Sequence, residues 1–300
     1  MVYHGFNILD PLNYYPEIPV KHIRLWDCGV TWKDINPSPG VFDYSRLDSI
    51  INKARNNNIK SFTLVLGMTP QWAARNPNQG HYAPWIGPGS NSLPFDMAHW
   101  EEYVSNTVKR YKGIIRYYQI WNEPQLAEFL YPITDMNALA EMTRRAYRII
   151  KEIDPWSRVV AAPILPRPKS GGIKRGSRYL YALKSKGWPV DIYTCHVYPE
   201  TGRGPKRFKT LLKRVQDQLE YMNAPKKPLW ITETNYNLLA GPLKTKIMVR
   251  SYLRKTNLIC NELGIGRIYW YAYGIHSNPN VFGIIFNARS VGTEYLKRLL

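Results

Sequence analysis

The 300-residue sequence predicts a single (β/α)8 barrel, and three observations carry that prediction. Strand-length runs of apolar, β-branched and aromatic residues alternate with helix-period segments, the pattern of βα units around a parallel sheet. The length suits one such barrel, which typically needs about 250 residues. The longest loops follow strand runs, and in a barrel that is the face where active sites sit.

The elements follow in order. The first strand run is Val2–Ile8 and the second His22–Trp26. Between them lies only a short stretch containing Pro11, Pro16 and Pro19, too little for a full helix, so the first βα unit is expected to be reduced. A helical pattern over Tyr44–Asn57 leads to the strand run Ser61–Leu66. A long loop follows, Gly67–Phe95, with Trp72, His81, Tyr82 and Trp85 among several Pro and Gly. Met97–Lys112 carries apolar residues at Trp100, Tyr103, Val104, Val108 and Tyr111, which is helical spacing. Tyr117–Trp121 is the fourth strand run, Asp135–Ile153 a helix, and Arg158–Ala162 the fifth strand run, followed by a basic loop, Pro163–Gly176. Then come helix Ser177–Lys186, strand Asp191–His196, helix Lys206–Met222, strand Leu229–Thr232, helix Lys244–Leu263 and strand Arg267–Tyr271. A short helix over Thr293–Leu300 is expected to close the chain. No internal repeat or low-complexity linker interrupts residues 1–300, so one domain is expected.

Composition narrows the function. A hydrophobic fraction of 44% supports a sizeable core and argues against wholesale disorder. The 10 Trp and 22 Tyr exceed what a core needs, and these are the side chains that pack on sugar faces; an aromatic-rich core is the plainer reading of any one of them. A formal charge of +19 attracts polyanions and says nothing about fold. No helix-turn-helix, RNP or finger pattern accompanies that charge, so nucleic acid is not the expected partner. Cys28, Cys195 and Cys260 form no CxxC pair, and no disulfide framework is expected. The six histidines lack metal-ligand spacing, Gly171-Gly172 does not continue into a phosphate loop, and no Gly-x-Ser-x-Gly elbow occurs, so neither metal nor cofactor is expected. No run of about 18 apolar residues is present to span a membrane. A charged n-region followed by an apolar stretch is also missing, so a soluble chain is expected.

Two motifs carry chemistry. Trp121-Asn122-Glu123-Pro124 ends the fourth strand run: the apolar residues bury the strand, Pro124 stops the pairing, and Asn122-Glu123 emerge above the barrel. Trp230-Ile231-Thr232-Glu233-Thr234-Asn235 places Glu233 at the end of the seventh. Three βα units separate the two glutamates, so they rise from different sides of one ring. Cleaving a glycosidic bond needs two carboxyl groups flanking the anomeric carbon, about 5–5.5 Å apart in the retaining version. A single such glutamate is more readily a helix cap or ion-pair partner; two at these strand ends are not.

With these residues in view the chain resembles clan A of the glycoside hydrolases, most of all family 39 and its close relatives. Matching pieces run nearly end to end: Arg24-Leu25-Trp26, Trp32 with Pro39-Gly40-Val41-Phe42-Asp43, Thr69-Pro70-Gln71-Trp72-Ala73, Arg110-Tyr111, Ile120 to Pro124, and His196-Val197-Tyr198. Asn-Glu-Pro after a strand is fairly specific; the others are weak singly and strong in order. The resemblance implies a retaining glycosidase on a TIM barrel, with Glu233 as nucleophile and Glu123 as acid/base. It implies that Asn122 bonds the sugar 2-hydroxyl, Arg24 holds Glu233 ionised, Tyr198 bonds Glu233, and His196 meets substrate or Glu123. Trp270 would floor the subsite of the reacting sugar, and Trp72 would contact substrate. The bland alternatives are a barrel-bottom ion pair for Arg24, a core histidine for His196 and plain packing for Trp270.

The substrate expected is a carbohydrate and the chain is expected to be a monomer. Arg167 to Arg175 and Arg203 to Arg207 lie in loops on the catalytic face, which suggests an acidic polysaccharide or a glycan on an anionic surface; a basic solubility surface is the equal alternative. The aromatic loop fits either internal cleavage with extra subsites or an exo-enzyme with a closed cleft. A transglycosylase would share every residue, and a non-catalytic glycan-binding barrel would need neither glutamate.

Overall fold

The computed structural model describes residues 1–16, 18–80, 86–167, 172–200, 203–235, 242–274 and 290–299. The strands are β1 (Tyr3–Ile8), β2 (His22–Leu25), β3 (Ser61–Leu66), β4 (Tyr117–Ile120), β5 (Arg158–Val160), β6 (Tyr193–Val197), β7 (Leu229–Thr234) and β8 (Ile265–Tyr273). The described helices are α1 (Trp32–Ile35), α2 (Ser45–Asn56), α3 (Met97–Arg110), α4 (Met136–Ile153), α5 (Gly172–Ser185), α6 (Gly204–Tyr221), α7 (Pro242–Glu262) and α8 (Val291–Lys297). The sheet runs β5-β4-β3-β2-β1-β8-β7-β6 with every pair parallel. It closes through parallel bridges Val160↔Ile192 and Ile164↔Cys195, the second tied by hydrogen bonds from Ile164 to Thr194 and from His196 to Ile164. The architecture is the predicted (β/α)8 barrel, and no helix lies between β1 and β2 among the described residues.

Alternation along the strands sorts side chains between two cores. Phe6, Ile8, Ile23, Leu25, Phe62, Leu64 and Ile268 join the helix-facing core. Their sequence neighbours fill the barrel, where Tyr117, Val160, Ile192, Trp230 and Tyr269 form a cluster. Tyr269 is bulky, and its Oη lies 2.8 Å from Thr63 Oγ1 across the barrel. Gly5 makes room for it: an added Cβ would stand 2.6 Å from the His22 carbonyl and 2.8 Å from the Tyr269 ring. Gly5→Ala is therefore expected to lower stability by roughly 1–3 kcal/mol, the usual cost of overpacking. A reduced urea midpoint checks it, and an unchanged one would show that the ring moves aside freely.

Helix faces match their periodicity. On α3, Trp100, Tyr103, Val104, Thr107 and Val108 are buried, and Asp96 caps the first turn by accepting from the Ala98 N–H at 2.8 Å. Two local features depart from expectation. The single-turn α1 was not foreseen; the Thr31 N–H and hydroxyl both donate to Asp34, fixing a turn too short to show periodicity. Helix α5 starts at Gly172 rather than Ser177, because its glycine- and cation-rich first turn carries no apolar stripe; the basic loop is correspondingly shorter. His81, Tyr82, Trp85, Lys169 and Leu300 lie outside the described residues. Cys28, Cys195 and Cys260 are buried free thiols. No described helix is long and apolar enough to cross a membrane.

Candidate active site

The site is built around a buried cation. Arg24 on β2 points into the barrel and is wholly buried. Its guanidinium donates to four acceptors from other strands or their ends: Gln119 Oε1 at 2.9 Å, Asn7 Oδ1 at 2.9 Å, Glu233 Oε1 at 2.7 Å and Asn122 Oδ1 at 2.7 Å. A rigid planar fork can satisfy acceptors spread around a ring in a way that an ammonium cannot. Asn7 Nδ2 in turn donates to the Thr232 carbonyl at 3.2 Å, and Gln119 Nε2 to the Trp121 carbonyl at 2.9 Å. Arg24 is thus at the mouth and not in a barrel-bottom ion pair.

Local backbone aims the two glutamates. Ile231 lies in the helix-facing core and Trp230 in the barrel cluster, so strict alternation would send Glu233 outward with Ile231. Register shifts in β7 between Ile231 and Thr234, and in β6 between Cys195 and His196, turn it inward and set it opposite His196. Just past β4, Trp121 and Glu123 adopt positive φ of 68° and 38°. Non-glycine residues held this way store strain, which is found where geometry serves a site. Trp121 is pinned by its N–H on the Leu66 carbonyl at 2.8 Å and its indole on the Phe129 carbonyl at 2.7 Å. Gly67 lets its ring approach, since a Cβ there would lie 3.0 Å from Trp121 Cε3.

The outcome is a compact cluster: one oxygen of Glu123, one oxygen of Glu233 and a ring nitrogen of His196 all lie within 4.8 Å of one another. His196 Nδ1 is 2.7 Å from Glu123 Oε1 and 3.5 Å from Glu233 Oε2. The Tyr198 hydroxyl donates to Glu233 Oε2 at 3.0 Å. Three donors within reach of one another resemble a metal-ligand set. Here Arg24 already supplies the positive charge, and its guanidinium would repel a second cation beside Glu233.

Electrostatics make the two carboxyls unequal. Burial pushes Glu123 up to about 7, against the pull of Arg24 and Arg167. Burial pushes Glu233 up as well, with Glu123 and Asp27 adding to the push and His196 and Arg24 opposing it. Arg24, expected to hold Glu233 ionised, does favour its charged form, and it does so against a larger opposing push from burial. What separates the pair is its partners. Glu233 accepts from a guanidinium and a phenol, whereas Glu123 faces His196, whose pKa burial lowers to about 3, leaving the ring neutral. A single negative charge on the pair therefore resides on Glu233 and the shared proton on Glu123.

Removing the cation should reveal its role. Arg24→Met is expected to cost about 3–5 kcal/mol at neutral pH, because it strands a buried carboxylate and three amide acceptors. The loss should shrink in acid, where Glu233 can take up a proton. Urea titrations at both pH values check this; equal losses would place the effect in packing.

One expected substrate contact is corrected. Trp270 is fully buried and faces the helices, stacked on His4, edge-on to Tyr252, with its indole N–H donating to His4 Nδ1 at 3.2 Å. Its neighbour Tyr271 faces the mouth instead, and its hydroxyl donates to Asp27 at 2.7 Å. Period-two alternation with the inward Tyr269 was the signal for this. Trp72 anchors its loop: its indole donates to the Asn36 carbonyl at 3.0 Å and its ring meets His99 edge-on. Asn7, Gln119, Asp27 and Tyr271 are the site residues not foreseen. Trp26, Asp27, Lys33, Met68, Ile86 and Tyr271 line a cavity of about 480 Å³ at the mouth. The basic loops contribute unevenly. Arg167 leans over the Tyr198 ring at 5.6 Å, whereas Arg207 is neutralised by a two-pronged pair with Glu200.

No protein-family model matches the chain. A curated β-1,4-xylanase from Dictyoglomus thermophilum is 26% identical over 197 residues, 63% of this chain and 49% of that protein. Among solved structures, a glucosidase from Croceicoccus marinus matches with a TM-score of 0.74 at 13% identity, over 99% of this chain and 66% of that one. A family 39 enzyme from Xanthomonas axonopodis pv. citri matches with a TM-score of 0.72 at 22% identity, over 94% of this chain and 60% of that one. The chain spans about half the length of the curated relative. The fold is that of family 39 glycoside hydrolases, the family that the strand-end motifs resemble.

Proposed function

We propose that the chain is a retaining O-glycosyl hydrolase acting on a β-linked oligo- or polysaccharide. The observation that carries this reading is the pair of carboxyls within 4.8 Å, Glu233 buried and paired with Arg24, Glu123 half-buried and pushed up to about 7. That separation suits double displacement and leaves no room for the water of an inverting site. Glu233 attacks the anomeric carbon as the glycosidic bond breaks, and the proton of Glu123 passes to the leaving oxygen. Water then attacks the same carbon, Glu123 takes its proton, and the ester to Glu233 breaks. Asn122, oriented through its carbonyl by Arg24, offers its amide N–H to the sugar 2-hydroxyl. Tyr198 and Arg24 disperse charge on Glu233 as it leaves the sugar.

The similarity to a β-1,4-xylanase supports a β-linked substrate. A glycan panel run with wild type and Glu233→Gln tests the reading. Cleavage of at least one β-linked glycan by wild type, with binding but no cleavage by the variant, is the expected result. Undiminished cleavage by the variant overturns it.

A further inference from the structure

We propose that the opposite end of the barrel carries a second carbohydrate site, one that holds an acidic sugar without cleaving it. The N-terminal ends of β4 to β7 surround a cavity of about 540 Å³ lined by Arg116, Arg158, Lys226 and Lys227, with Tyr117 and Trp230 in its wall; the Lys227 ammonium donates to the Trp188 and Val190 carbonyls. Its lining holds one carboxylate, Asp191, and that is already paired with Lys151 at 2.7 Å and Arg158 at 3.7 Å. Among the described residues Arg116 and Lys226 have no ion-pair partner, and both are exposed. The described lining therefore keeps a net positive charge after Asp191 is counted.

The wall adds a second, independent feature. Behind Trp230 and Tyr117 lies the guanidinium of Arg267, 4.1 Å and 4.7 Å from the two ring centres. It is 6% exposed, and its Nε has no hydrogen-bond partner among the described residues. A buried cation in the barrel floor extends the positive field into the cavity from beneath. Aromatic wall and cationic rim together fit a pyranose ring bearing a carboxylate or sulfate better than they fit a bare ion. The volume lies in the range of small-ligand sites. No carboxyl pair is present to break a bond there, so the site would tether an acidic chain while the other end of the barrel acts.

That assignment to sugar rests on the glycosidase reading, but its test does not use turnover. Binding of a tetragalacturonate, a neutral tetrasaccharide, inorganic phosphate and a short single-stranded DNA is measured by calorimetry. The proteins are wild type, Glu233→Gln, and the double charge reversal Arg116→Glu with Lys226→Glu. Tetragalacturonate should bind wild type and Glu233→Gln alike, weaken with added salt, and lose roughly tenfold or more in affinity on charge reversal. Should the double variant unfold, Lys226→Glu alone is expected to give a loss of several-fold in the same direction. Equal affinity after charge reversal, equal binding of the neutral sugar, or tighter binding of phosphate or DNA overturns the proposal. If Glu233→Gln still cleaves glycans while the charge effects hold, the function proposed above fails and this site stands.

Discussion

Glu233→Gly is expected to lose hydrolysis by about 10⁴-fold or more, the scale seen when one member of a covalent catalytic unit is removed. Added azide should restore turnover in that variant, and the product should be a glycosyl azide with inverted anomeric configuration. The reasoning is geometric. Removing the side chain opens a space on the face of the sugar that Glu233 occupied, beside Arg24 and the Tyr198 hydroxyl, which then hold a small anion. One displacement in place of two inverts the carbon. Glu123→Ala is the contrast. There the glycosyl-Glu233 ester still forms from a substrate with a good leaving group, and azide entering on the Glu123 side should give the retained product. NMR of the two products decides. A retained azide from Glu233→Gly, or full activity without azide, would exchange or abolish the roles assigned to the two glutamates.

The strand ends were legible because each depends on local pattern: an apolar run, a polar pair, then Pro124 or a turn. What the sequence hid was the consequence of closing the sheet. Asn7 and Gln119 look like ordinary strand residues; Asn7 meets Arg24 as its partner on the neighbouring strand, and only the barrel brings Gln119 from β4 onto it as well. The family resemblance puts Trp270, at a strand end, under the sugar. Its parity, shared with the helix-facing Ile268, sends it outward and gives the inward place to Tyr271. Glu233 shows the opposite case. Parity alone would have turned it outward, and a register shift that no sequence pattern announces brings it back. The upward push on its pKa stays hidden for a related reason: Arg24 is visible in the sequence, whereas the burial that outweighs it belongs to the closed barrel.

The raised Glu123 links activity to stability through one proton. Activity toward glycans with poor leaving groups should decline above about pH 7, as the group that must donate becomes ionised. Glu123→Gln should remove that limb of the profile along with most of the activity on such substrates, while sparing glycosides whose leaving group needs no proton. The same shift acts on folding with a definite sign. The folded pKa of about 7 exceeds the ordinary value of 4.5, so the folded state holds the proton more tightly than the unfolded chain. The resulting stability is fully present below pH 4.5 and is lost as pH rises through about 7. The shift corresponds to about 3 kcal/mol. Glutamine imitates the protonated carboxyl at every pH. Glu123→Gln should therefore match wild type in acid and exceed it by about that amount at pH 8, read as the free energy of urea unfolding. A difference independent of pH would mean that Glu123 is not the group holding the proton. The kinetic limb would then have to come from Glu233, whose partners Arg24 and Tyr198 both favour its charged form.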